Sequence, residues 1–138
     1  MATPRDANAR KYYRVAKQRL EEARLIFDKI GLSAATVYLA GYAIECMLKA
    51  LTLEWTPVRQ RPEMLKSLKD DFGHNLRRLR AALVEQNLHP PREVLGELLY
   101  ACSWSPDLRY EPGPGDPKEA ERFLAAAKSI VIWADGRI

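Results

Sequence analysis

Two charges, Glu45 and Lys49, stand one helical turn apart inside SAATVYLAGYAIECMLKALTL, the stretch Ser33 to Leu53, which is otherwise almost wholly apolar. A helix apolar nearly all round is buried on most sides, so each charge in it needs a partner, a solvent channel or a function. At about 100° per residue, Tyr38, Tyr42, Glu45, Lys49 and Thr52 gather into one narrow stripe, while Leu39, Ala43, Ile44, Cys46, Met47, Leu48 and Leu51 cover the rest of the surface. A carboxylate and an ammonium in that setting either neutralise one another or hold the polar atoms of a ligand.

Other chemistries find little support. His74 and His89 have no nearby cysteine pair and no helical ligand spacing, so no metal site is expected. Cys46 and Cys102 lie within apolar runs and lack zinc or redox spacing; they read as small core residues, a usage that fits a reducing cytoplasm. Gly113 and Gly115 alternate with prolines and are not followed by the lysine and hydroxyl residue of a phosphate loop. No serine occupies a nucleophile elbow, and no cofactor is expected. The net charge of +4 leans modestly toward acidic partners such as nucleotides or RNA. Arg5, Arg10, Lys11, Arg14, Lys17 and Arg19 cluster near the amino terminus, and Arg77, Arg78 and Arg80 follow His74; by default such runs are solvated helix faces.

The elements that must position these residues are legible. A chain of 138 residues is expected to form one domain, 1–138, that needs no disulfide or metal staple. No apolar segment follows the charges of MATPRDANARK, and the longest uncharged run, Ile30 to Ile44, falls short of a membrane span; a soluble cytoplasmic protein without a membrane partner is expected. The first helix is predicted from near Asp6 to Ile30, with Tyr13, Ala16, Leu20, Ala23, Phe27 and Ile30 as its core stripe and Gly31 as its stop. Ser33 is expected to cap the second, antiparallel helix. Glu54 to Gly73, with Pro57 and Pro62, reads as a long connection holding a helical turn near Glu63 to Lys69.

A third helix begins around His74 or Asn75 with Leu76, Leu79 and Leu83 inward, and ends before Pro90. A fourth starts at Pro91 and runs to about Ser103. The loop SWSPDLRYEPGPGDP is too rich in proline and glycine for regular structure, yet Trp104, Leu108 and Tyr110 should pin it to the body. Asp116 caps the final helix, with Pro117 in its first turn and Glu119 three residues after the cap. No strand or internal repeat is expected.

Several segments recur in a recognisable order: Ala16 to Ala23; Gly41-Tyr42-Ala43 with Glu45 and Leu48-Lys49-Ala50-Leu51; His74 with Leu76 and Leu79; Arg109-Tyr110; and Ile132-Trp133. Together they resemble a HEPN domain over nearly the whole chain. The resemblance implies an all-α, up-and-down bundle of four to five helices, commonly homodimeric, with polar residues facing a groove. Ribonuclease members of that family share an arginine followed four to six residues later by histidine, a cation for the scissile phosphate beside an imidazole for proton transfer. Neither His74 nor His89 is preceded by such an arginine, and no histidine follows Arg109. RNA cleavage by the usual family mechanism is therefore disfavoured.

The resemblance singles out Tyr42, Glu45, Lys49, His74, Arg109 and Tyr110 as residues lining one pocket or groove. Arg109 and Lys49 would hold phosphate or ribose oxygens, the helix start near His74 would add N–H donors, and Tyr110 or Tyr42 would stack on a base. Each has a plainer alternative: Glu45 and Lys49 as a structural pair, His74 as a helix-end residue, Arg109 as a brace against Glu45, Tyr110 and Trp104 as hydrophobic anchors. Three functions stay open. The first is a nucleotide- or RNA-binding module, the partner of a minimal nucleotidyltransferase in a toxin–antitoxin-like pair. The second is a structural homodimerisation module around a buried polar network. The third is a metal-independent ribonuclease toxin using His74 and Arg109.

Overall fold

The structure is a computed structural model that describes residues 3–138, apart from the side chains of Asp71, Phe72 and Arg109. Six α-helices follow one another: α1 (Ala7–Lys29), α2 (Ser33–Trp55), α3 (Arg61–Lys69), α4 (Leu76–Glu85), α5 (Arg92–Ala101) and α6 (Pro117–Asp135). Short 3-10 turns cover Val58–Gln60, Asp71–His74 and Pro106–Tyr110, and no strand occurs among the described residues. The all-α bundle is as expected. Its sixth helix, α3, grows from the helical turn foreseen near Glu63, because Pro62 falls in the first turn, where a missing N–H costs nothing.

α1 and α2 form a hairpin across Gly31, whose φ of +78° is open to glycine without strain. Asp6 caps α1, its Oδ1 accepting the Ala9 N–H at 2.8 Å. The segment before it is held by Glu54, whose carboxylate accepts the backbone N–H of Arg5 at 2.9 Å. The cap of α2 differs from the expectation: Leu32 takes the N-cap position, Ser33 is already helical, and no side chain caps the end. A distant loop does that work instead. The Ala34 N–H donates to the Pro114 carbonyl at 3.0 Å, and a Cβ on the adjacent Gly115 would come within 2.8 Å of the Ala34 nitrogen. The proline- and glycine-rich loop is thereby pinned to the start of α2.

α2 is the central helix, in contact with α1 along its length and with α6 and α4 on other sides. Every residue from Ala43 to Leu53 is buried, Glu45 and Lys49 included. By length and composition α2 is apolar enough to cross a membrane, but 67% of its most apolar window is buried inside the protein. Each of its fully buried Ile44, Met47, Leu48 and Leu51 side chains contributes roughly 1.5–3 kcal/mol through removal from water.

Two contacts lock the ends. Trp104 lies 3% exposed with its indole against Gly41, where any Cβ would overlap the five-membered ring. Tyr42 meets that indole edge-on, centroids 5.1 Å apart, and Tyr38 meets Tyr42 at 5.0 Å. Asp135, buried near the end of α6, accepts from the Tyr13 hydroxyl at 2.9 Å and pairs with Lys17 at 2.7 Å, tying α6 to α1. The hydrogen bond to Asp135 also raises the pKa of Lys17.

Candidate functional site

Glu45 and Lys49 face each other on α2 with Lys49 Nζ 2.9 Å from Glu45 Oε2, and both are at least 95% buried. The carboxylate has a second partner. His74 Nδ1 lies 3.2 Å from Oε1 and 3.3 Å from Oε2, while the His74 side chain stays 43% exposed. An ionised carboxylate only accepts, so Nδ1 carries the hydrogen and Nε2 is the ring nitrogen left to face something else. One buried carboxylate thus neutralises an internal ammonium and aims an imidazole at the surface.

Local sequence explains the placement. His74 ends the 3-10 turn Asp71–His74, directly before Asn75, whose Oδ1 caps α4 by accepting the Arg78 N–H at 3.1 Å. Gly73 is buried; a Cβ there would run into the Leu68 carbonyl and come within 2.9 Å of Lys49 Cε. Only glycine lets the turn pass so close to Lys49. From α1, the Tyr12 ring lies 5.4 Å below Lys49 Nζ, a cation–π contact in a desolvated setting. Burial pushes the Tyr12 phenol above its ordinary pKa, and Cys46 and Glu45 push it further the same way.

The structure brings together three of the six residues foreseen: Glu45, Lys49 and His74. Tyr42 belongs to the aromatic group around Trp104. Tyr110 closes the 3-10 turn Pro106–Tyr110 and is 72% exposed. The side chain of Arg109 lies outside the described residues, and with it the expected brace to Glu45. The narrow polar stripe of α2 therefore divides, tyrosines toward Trp104 and charges toward His74. Tyr12 was not foreseen, because Tyr13 fits the core stripe of α1 and Tyr12 falls about 100° away from it.

Three surface grooves lie elsewhere. One of about 720 Å³ between α3 and α4 is lined by Met64, Ser67, Asp70, Arg78 and Glu85. A second, of about 650 Å³, separates α1 from α6, and a smaller one of about 340 Å³ borders Asp6, Val58 and Arg61. None is lined by Glu45, Lys49 or His74, so these residues offer a surface contact led by His74 rather than a deep pocket. Among the described residues no group of three or more His, Cys, Asp or Glu side chains is arranged to hold a metal. Cys46 beside Glu45 is 8% exposed, and its thiol is pushed up to about 11, by burial first and the Glu45 charge second. A thiol so protonated is no nucleophile at neutral pH.

The helical order and this site agree with comparison by family. The model of the HEPN domain matches residues 9–137. Curated proteins and solved structures return no match. A match of that extent covers all six helices and the His74 turn, and the chain belongs to the HEPN domain family, helical modules associated with nucleotides and RNA.

Proposed function

We propose that the chain is a non-catalytic nucleotide- or RNA-binding module that meets its ligand at His74. The carrying observation is the exposed imidazole held at Nδ1 by the buried Glu45, which leaves Nε2 to hydrogen-bond a phosphate or ribose oxygen. Lys49 serves a different purpose from the one its charge first suggested. It is buried and matched by Glu45, so it fixes the carboxylate rather than reaching ligand. Arg109 and Tyr110, on a 3-10 turn that packs against α2, supply the phosphate cation and the stacking ring. The module acts beside a minimal nucleotidyltransferase in a toxin–antitoxin-like pair. Calorimetry against a panel of nucleotides and short RNAs tests the reading, with His74→Ala and Arg109→Ala as controls. Absence of any binding by the wild type sinks it.

One observation favours a second reading as a ribonuclease. A carboxylate holding one nitrogen of an imidazole is the arrangement that readies the other nitrogen for proton transfer. Against it stands the absence of the arginine four to six residues before the histidine. Expression in growing cells decides: a ribonuclease degrades RNA and arrests growth, and His74→Ala relieves both.

A further inference from the structure

The groove between α1 and α6 is the most apolar of the three surface grooves, with Leu20, Leu124, Ala125 and Ile132 among its lining residues. Ile132 is 62% exposed, an uncommon state for a large aliphatic side chain in the middle of a packed helix. On α6 the sequence Glu121, Leu124, Ala125, Lys128, Ile132 follows the three-and-four spacing of a single helix face, and all five line the groove. The opposite face, Phe123, Ala127 and Ile130, is in the core.

The charges of that outward stripe are arranged symmetrically. Glu121 and Lys128 are separated by two helical turns, and Leu124 and Ala125 lie midway between them. Neighbouring charges are committed within the chain: Arg122 to Glu97, Arg24 to Glu21 and Asp28. Among the described residues, Glu121 and Lys128 pair with nothing. A stripe that reads acid, apolar, small, base becomes its own complement when turned end for end.

We infer that this face pairs with a second copy of the chain, α6 crossing α6 antiparallel about a two-fold axis near Leu124 and Ala125. Each Glu121 then stands opposite the partner's Lys128. Such a contact is isologous, and the two-fold operator forms the ion pair twice. Ala125 at the centre keeps the two helices close, while Leu124, Leu20 and Ile132 gain cover from water. The rim ion pairs set register, and the apolar centre supplies affinity. Glu45, Lys49 and His74 line no part of this groove, so the inference stands apart from the ligand-binding reading.

Sedimentation velocity on the full chain at tens of micromolar tests it, with circular dichroism confirming the helical fold of each variant. The wild type sediments as a dimer. Ala125→Arg sediments as a monomer. Glu121→Lys and Lys128→Glu each weaken the dimer by about tenfold or more, since each sets like charges face to face twice. An equimolar mixture of these two single variants recovers a dimer, because both cross-pairs are again complementary, and so does the chain carrying both exchanges. A monomeric wild type overturns the inference. So does a dimer indifferent to Ala125→Arg, which places the contact on another face, and so does a mixture that fails to recover, which removes the proposed register.

Discussion

His74 Nδ1 lies 3.2 Å from Oε1 of Glu45, so a half-exposed imidazole is anchored by a carboxylate only 2% exposed. That carboxylate also meets Lys49 Nζ at 2.9 Å, and the three side chains form one unit spanning core and surface. Breaking a buried pair from one side leaves an uncompensated charge, which is costlier than removing both. Glu45→Gln and Lys49→Met should each lower stability by about 3–5 kcal/mol, and the double variant should recover most of the loss. Urea denaturation of the four proteins measures this. Additive losses would show that the two groups do not depend on one another.

Two glycines should respond to alanine with opposite signs. Gly41 abuts the Trp104 indole, and a methyl group there must displace a side chain that is otherwise 3% exposed. Gly96 lies in α5 with nothing within 4 Å of its missing Cβ. Gly41→Ala is expected to cost at least about 1–3 kcal/mol through overpacking, with altered tryptophan fluorescence. Gly96→Ala is expected to stabilise by about 0.5–1 kcal/mol through helix propensity and a less flexible unfolded chain. Thermal melts of both variants check the pair of signs.

Cys46 makes the fold sensitive to alkali. Burial holds its thiol at about 11, above the ordinary value of 9.0 that the unfolded chain regains. Because the folded pKa is the higher one, this contribution is intact below pH 9 and is lost as pH rises toward 11. The full loss is about 3 kcal/mol. Cys46→Ala should therefore show a shallower fall in melting temperature between pH 8 and 10.5 than the wild type. Equal slopes would remove Cys46 as the cause, leaving other groups such as Tyr12, whose raised pKa acts in the same direction.

The helices were legible in sequence because their signals are local. Asp6, Asn75 and Asp116 each cap a helix where spacing and type placed one, and the apolar spacing of α1, α2 and α6 marked their buried faces. The cap of α2 was not legible, since its partner is the Pro114 carbonyl, some eighty residues downstream. α3 was foreseen only as a turn because Pro62 reads as a breaker until its position in the first turn is known. At the site, the four-residue spacing of Glu45 and Lys49 fixed their mutual contact, and the family pattern brought in His74. Tyr12 was out of reach, because its contact with Lys49 depends on how α1 rotates against α2.

Titration calorimetry of a short unstructured RNA into the wild type and into His74→Ala, with the RNA examined afterwards, tests the ligand-binding role most directly. Binding by the wild type, weakened about tenfold or more in His74→Ala with the RNA recovered intact, is the predicted result. No heat from the wild type, equal affinity in the variant, or cleaved RNA would contradict it.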